Sequence, residues 1–147
     1  HNLNYWEFGD YLGIAAGAHG KITLPVENKM MRYWKTRLPK HYLDAAQSQK
    51  ISTNLNGHQN VFGGGGDLLT RESLPLEFMM NALRLNDGVP LDYFSRRTGQ
   101  DWSLLAKNWM DLEDQGLVEK CNGYIRPTIL GRRFLNRVLQ AFIHETD

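Results

Sequence analysis

The fold is decided by residues 117–126, LVEKCNGYIR, in which two short β-forming segments flank the dipeptide Asn122-Gly123. Both residues of this dipeptide tolerate a positive φ, which a tight two-residue hairpin turn requires. The sequence therefore predicts a β-hairpin with strands over residues 117–121 and 124–126. Pro127 ends the second strand, because proline has no amide hydrogen to continue a ladder.

Helices are predicted on both sides of this hairpin. Ser73 and Pro75 open the first helix, which residues 86–88 close. Pro90 begins a second helix that closes near Gly99, and a third helix follows it to Gly116. Beyond the hairpin, Thr128 caps a last helix with an apolar face. That face comprises Leu130, Phe134, Leu135, Val138, Leu139 and Phe142. The sequence predicts an α+β fold, mainly α, with a winged-helix-like arrangement over residues 73–147.

The amino-terminal third has a different pattern. Residues 11–20 form a short apolar run whose continuous hydrophobicity is typical of a strand buried on both faces, as in a parallel sheet or barrel. Such a strand needs neighbours on both sides, and no βαβ series supplies them, so we expect a missing domain. Residues 47–67 are polar and end in Gly63–Gly66, which predicts a flexible linker. A nucleotide loop would need a following Lys-Ser/Thr, which is absent.

Composition narrows the function classes. The 147 residues are 41% hydrophobic and 22% charged, and the apolar runs are far shorter than the roughly 18 residues that a membrane span needs. Residues 1–10 have no basic start and no apolar core, so no secretory signal is predicted. The single cysteine, Cys121, excludes an internal disulfide and suits a reducing compartment, which predicts the cytoplasm.

Charge bears on nucleic-acid binding. The net charge is only +1, and the third predicted helix carries four acidic residues against Lys107, a poor match for phosphates. We therefore predict no nucleic-acid partner. A winged-helix DNA-binding module remains the alternative function on topology alone, since Arg96-Arg97 and Arg132-Arg133 could form a small basic patch.

Residues 1–20, HNLNYWEFGDYLGIAAGAHG, resemble the stretch that closes the catalytic barrel in oxygen-independent coproporphyrinogen III oxidase-like proteins, a radical S-adenosylmethionine (SAM) family. The string HNLNYW at residues 1–6 is similar to the haem-binding motif of the family's haem-chaperone branch. Residues 77–85, EFMMNALRL, with Gly116-Leu117 and the pair Thr128 and Gly131, resemble the family's carboxy-terminal helical domain. The resemblance implies the last strand and turn of a barrel over 1–26, a connecting segment over 27–72 and a carboxy-terminal domain over 73–147.

The same resemblance implies site residues. His1 would be the axial ligand of haem iron, and Tyr5 and Trp6 would give the porphyrin a flat apolar wall. From the residues alone, a terminal histidine is more often solvent-exposed or tag-derived. Gly17, Ala18 and His19 would lie near SAM, although a strand end packed in the barrel is the simpler reading.

Other candidate residues are read as structural. Cys121 lacks a neighbour that would activate its thiol, so a partly buried structural cysteine is predicted. Met79, Met80, Trp102 and Trp109 fall at helical spacing and are predicted to lie in the core. The remaining histidines have no metal-ligand spacing and are read as surface residues. They are His41, His58 and His144.

The family resemblance also implies cofactors and partners. The intact protein would hold a [4Fe-4S] cluster, SAM and haem, and would meet an amino-terminal radical SAM domain and a haem-receiving protein. The cluster-binding loop of three cysteines is not in this chain, which we therefore expect to be catalytically silent. A parent that oxidatively decarboxylates coproporphyrinogen III is the alternative within the family. If residues 12–18 formed an exposed strand, edge pairing would give a homodimer.

Overall fold

The computed structural model describes residues 2–27, 29–47 and 64–143. Its helices and strands, in chain order, are α1 (Asn2–Trp6), β1 (His19–Leu24), β2 (Lys29–Trp34), α2 (Pro39–Gln47), β3 (Gly65–Leu69), α3 (Leu74–Ala82), β4 (Val89–Pro90), α4 (Asp92–Thr98), α5 (Ser103–Asp114), β5 (Val118–Cys121), β6 (Tyr124–Pro127), α6 (Ile129–Arg133) and α7 (Leu135–Gln140). They form two compact units, one from the described residues between 10 and 70, the other from 2–9 and 71–143. The predicted α+β class is confirmed.

The unit of residues 10–70 is built on an antiparallel sheet in the order β1-β2-β3. A single 3₁₀ turn, Pro25–Glu27, precedes β2, and Ile22 of β1 lies opposite Met31 of β2. Met30 and Tyr33 of β2 are buried at 6% exposure each. The central strand thus supplies much of this small unit's apolar core.

The strand predicted over residues 11–20 is wrong for most of its length. Tyr11 makes one isolated bridge with Lys21, residues 12–18 form no strand, and β1 begins only at His19 and pairs antiparallel. The backbone turns away from extended geometry at Ala15 (φ 87°) and Gly17 (φ 72°), leaving Leu12 72% exposed. The homodimer predicted from edge pairing of residues 12–18 therefore loses its basis.

The glycine run is not wholly a linker. Gly65 and Gly66 lie in β3, opposite Trp34 and Tyr33 of β2. A Cβ at Gly65 would lie 2.7 Å from the Trp34 indole, so glycine lets this large ring lie across the neighbouring strand. Gly63 and the rest of the predicted linker over residues 48–63 lie outside the described residues.

Asp10 ties the segment before β1 to the sheet. Its carboxylate accepts hydrogen bonds from Lys21 Nζ at 3.0 Å, from the Thr23 backbone N–H at 2.9 Å and from Thr23 Oγ1 at 2.8 Å. Burial raises the pKa of Asp10, but the Thr23 hydrogen bonds and the Lys21 charge lower it by more, so it lies below the ordinary 3.8. A carboxyl whose pKa is lower in the folded state stabilises the fold above its unfolded-state pKa and loses this effect as pH falls through the folded value.

Asp10→Asn is therefore expected to lower the free energy of unfolding by about 1 kcal/mol at pH 7, since the carboxylate is partly exposed. The loss should shrink below about pH 4, where the wild-type carboxyl takes up a proton. Urea unfolding from pH 2 to pH 7 measures this difference. Glu27→Gln is the control, because the Glu27–Lys29 pair is exposed on both sides. A pH-independent difference for Asp10→Asn contradicts the prediction.

In the unit of residues 2–9 and 71–143, the predicted hairpin is confirmed. β5 and β6 pair antiparallel across Asn122 (φ 52°) and Gly123 (φ 80°), and β4 joins at the other edge of β6. The three helices predicted before the hairpin are present as α3, α4 and α5, but the second begins at Asp92 and not at Pro90, which lies in β4. Asp101 Oδ1 accepts the Ser103 N–H at 2.8 Å, as expected of a residue that caps α5.

The helix predicted after Thr128 is interrupted, and its predicted buried face is confirmed at Val138 and Phe142 but wrong at Leu130 and Phe134. Thr128 Oγ1 accepts the Gly131 N–H at 3.0 Å, which confirms the cap, but the helix breaks at Phe134 into α6 and α7. Leu130 and Phe134 are 44% and 53% exposed. The buried stripe runs through Gly131, which was not predicted, and through the predicted Val138 and Phe142. Because Gly131 packs against the Leu117 backbone, the helix presents its smallest residue to the core.

Candidate functional site

The string of residues 1–6 lies largely on α1. His1 is outside the described residues, and α1 spans the remaining five, Asn2–Trp6. None of these five residues is buried; Tyr5 is 43% exposed and Trp6 is half-buried. The two predicted aromatic contacts therefore lie on a short helix that is open to solvent.

A sharp turn ends α1 and buries the next aromatic residue. Gly9 N–H donates to Asn4 O at 2.8 Å, and Phe8 N–H donates to Tyr5 O at 3.1 Å. Phe8 adopts a positive φ of 60° and is only 2% exposed. A Cβ on Gly9 would overlap the Asn4 side-chain amide, so a larger residue here would have to displace that amide.

Phe8 begins a row of aromatic rings that runs through the core of the same unit. Successive ring centroids are 5.7, 5.3, 5.8 and 5.5 Å apart, with planes inclined by 62–83°, the edge-to-face geometry that aromatic pairs favour. The rings belong to Phe8, Phe78, Phe94, Trp102 and Trp109. Trp109 and Met79 are core residues as predicted, whereas Met80 is 37% exposed. Sequence reasoning gave Phe8 no role.

The second predicted group lies in the other unit. Gly17 and His19 line a cavity of about 450 Å³, together with Lys35 and Arg37. The Gly17 N–H donates to Thr36 O at 2.7 Å, and the Lys35 N–H donates to Ala18 O at 2.8 Å. Sequence reasoning missed Lys35 and Arg37, although their alternation (Lys-x-Arg) directly after β2 is visible. Lys35 and Arg37 thus bring two cationic residues to this cavity, and the Lys35 ammonium lies over the Tyr42 ring, 5.4 Å from its centroid.

The described residues bear on the predicted metal chemistry. No three His, Cys, Asp or Glu side chains among them come together as metal ligands. A [4Fe-4S] cluster needs several thiolates, and the whole chain has one cysteine, half-buried Cys121, so its own residues do not fit a cluster. Haem needs only an axial donor and a flat apolar contact, which residues 1–6 contain.

Two further predictions concern histidines and membrane spans. His41 is exposed on α2, whereas His58 and His144 lie outside the described residues.

Within the described ranges, no helix is long and apolar enough to cross a membrane.

Comparison with known proteins identifies the carboxy-terminal half. Residues 69–134 match the family described as HemN C-terminal domain. The matched residues include the hairpin and its flanking helices α3 to α6, and Phe78 and Trp109 lie in the core of this matched segment.

Relatives match over nearly the whole chain. The chain is 34% identical over 145 residues to the heme chaperone HemW of Escherichia coli (strain K12), covering 99% of the chain and 34% of that protein. It is 37% identical over 147 residues to the heme chaperone HemW of Haemophilus influenzae, covering 99% of the chain and 34% of that protein. The chain thus spans about a third of the length of the curated relatives it matches.

A solved structure shares the fold. Coproporphyrinogen III oxidase (HemN) from Escherichia coli, a radical SAM enzyme, superposes with a TM-score of 0.53 at 17% sequence identity. The superposition covers 92% of this chain and 29% of that enzyme. At this identity, the likeness concerns the fold alone.

Proposed function

We propose that this chain is the carboxy-terminal part of a haem chaperone of the HemW type, catalytically silent by itself. The observation that carries the proposal is the 34–37% identity with HemW proteins over 99% of the chain, a match that reaches back to the amino-terminal string. In this proposal, residues 1–26 would end a radical SAM barrel, 27–72 would be the connecting segment whose β2 pairs with β1, and 73–147 would form a winged-helix-like domain. The function is to hold haem and pass it to a haem-receiving protein in the cytoplasm.

The haem site in this proposal is the string at residues 1–6. The His1 imidazole nitrogen would bind the haem iron, and the exposed Tyr5 ring and half-buried Trp6 would lie against the porphyrin. The openness of α1 supports this role, because a flat ligand can approach a helix that has no buried residue among Asn2–Trp6. When bound, haem would supply an iron whose axial position can accept a nitrogen ligand.

The proposal assigns the other cofactors of the family elsewhere. The [4Fe-4S] cluster would be held by cysteines of the full-length protein, because this chain contributes only Cys121. Gly17, Ala18 and His19 would lie near SAM, and Arg37 at the same cavity supports a nearby anionic group such as a carboxylate.

The alternative functions are less well supported. A DNA-binding module would present α5 to phosphates, yet this helix exposes Asp111 and Asp114. A coproporphyrinogen-processing parent is less favoured because the relatives that are 34–37% identical are heme chaperones.

His1→Ala in the full-length protein is expected to weaken haem binding by about tenfold or more and to shift the Soret band, because the axial nitrogen is lost. Titration with haem, followed by absorption spectroscopy, measures both effects. His41→Ala is the matched control, because it removes an exposed histidine from α2. If His1→Ala binds haem with wild-type affinity and spectrum, the proposed function is wrong.

A further inference from the structure

We propose that Phe8 is a positioning residue of the haem site: it holds α1 on the HemN C-terminal domain in the conformation that meets haem. This inference rests on the proposed haem ligation by the string at residues 1–6. Phe8 itself lies outside that string and need not touch haem. Its role would be to order the short helix before the ligand arrives.

Helix α1 cannot maintain its own conformation. It has five residues, whereas isolated helices shorter than about 12 residues are only marginally stable in water. Its residues Asn2–Trp6 include none that is buried, so apolar burial within the helix does not hold it in place. Its order therefore depends on contacts outside the helix, and the chain that follows it supplies one of them.

Phe8 supplies that attachment. A positive φ is unfavourable for a residue with a side chain, and Phe8 adopts one of 60° in a turn that directs its ring into the core. The ring is 2% exposed and meets Phe78 of α3 edge-to-face at 5.7 Å. The same turn places the Glu7, Phe8 and Gly9 amides on carbonyls of α1, at 2.8, 3.1 and 2.8 Å. Burial of one ring thus fixes both the turn and the last carbonyls of α1.

This attachment has a consequence for binding. If α1 is already ordered, haem binding does not have to fix its backbone, and the full contact energy appears as affinity. If α1 frays, the entropy of ordering it opposes binding. Ordering even one or two residues costs enough to weaken binding by about tenfold or more.

The test compares Phe8→Leu with Phe94→Leu in the full-length protein. Phe94 is a matched control, because it is fully buried and meets the same Phe78 ring at 5.3 Å but lies in α4. Both variants should lower the unfolding midpoint. Only Phe8→Leu should raise the haem Kd by about tenfold and abolish hydrogen-exchange protection at the Glu7, Phe8 and Gly9 amides. Equal haem affinities for the two variants would overturn the inference.

A second pair of variants reaches the same turn without changing a core ring. Gly9→Ala places a Cβ on the Asn4 amide and should weaken haem binding, whereas Asn4→Ala combined with Gly9→Ala removes the overlap. Asn4→Ala alone measures the direct effect of losing this amide from the string and completes the cycle. The inference expects the double variant to bind haem more tightly than Gly9→Ala, a coupling that independent effects would not give. If the losses of haem affinity are additive, the positioning role of Phe8 is wrong. This comparison of Gly9 and Asn4 variants tests the inference even if Phe8→Leu does not fold.

The two proposals fail in different ways. Wild-type haem binding by His1→Ala overturns the proposed function and this inference together. Loss of haem by His1→Ala with unchanged binding by Phe8→Leu and Gly9→Ala overturns the positioning role alone.

Discussion

Phe78→Ala is expected to lower the free energy of unfolding of the unit of residues 2–9 and 71–143 by about 3–5 kcal/mol. Phe78 is 0% exposed and lies between two other aromatic rings, Phe8 at 5.7 Å and Phe94 at 5.3 Å. Removing it takes apolar surface out of the core and leaves a cavity that these two rings cannot close without leaving their own positions. The edge-to-face contacts are lost as well.

The matched control is Phe134→Ala, the same chemical change in the same unit. Phe134 is 53% exposed at the break between α6 and α7, so its truncation should cost less than about 1 kcal/mol. Urea unfolding followed by intrinsic tryptophan fluorescence measures both variants. Equal losses for the two variants would show that the aromatic row is not the core of this unit. The comparison also tests the sequence-based expectation that Phe134 lies in the buried face.

Features determined by a few adjacent residues could be predicted from the sequence. The hairpin followed from Asn122-Gly123, because only a few residue pairs accept two positive φ angles. The caps at Asp101 and Thr128 followed from side chains that reach backbone amides two or three residues ahead. In each case the physical cause lies within the segment itself.

Features that depend on distant packing could not be predicted. The apolar run at residues 11–20 has the composition of a buried strand, but positive φ angles at Ala15 and Gly17 turn it away from the sheet. The buried stripe of α6 and α7 passes through Gly131, which contributes nothing to an apolar periodicity and was therefore overlooked. Its place in the core depends on the Leu117 backbone, 14 positions earlier in the sequence.

The candidate site combines a local feature, which could be predicted, with an attachment through distant packing, which could not. The string of residues 1–6 was recognisable from its order, but its attachment through Phe8 was not. A positive φ at a phenylalanine has no local signal, since the burial of the ring against Phe78 compensates for it. The only hint in the sequence is the pair Phe8-Gly9, an aromatic residue followed by glycine, which lies just beyond the string of residues 1–6.

Gly131→Ala is expected to lower the free energy of unfolding of the same unit by about 3 kcal/mol or more. A Cβ at this position would overlap the carbonyl of Leu117, a backbone group that cannot rotate away as a side chain would. That carbonyl is also held by Thr128, whose backbone N–H donates to it at 3.0 Å. Relief of the overlap therefore requires α6 to move away from the hairpin, with loss of the Thr128–Leu117 hydrogen bond.

Gly123→Ala separates this steric effect from backbone strain. Gly123 has a φ of 80°, and no atom lies within 4 Å of the position that an alanine methyl would take, so alanine there should cost about 1 kcal/mol through its conformation alone. Gly131 has no positive φ, so the destabilisation caused by Gly131→Ala comes from the steric overlap alone. Parallel urea titrations of the two variants measure the difference. If Gly131→Ala is no more destabilising than Gly123→Ala, α6 does not approach the Leu117 backbone closely, and the explanation for the exposed Leu130 and Phe134 is wrong.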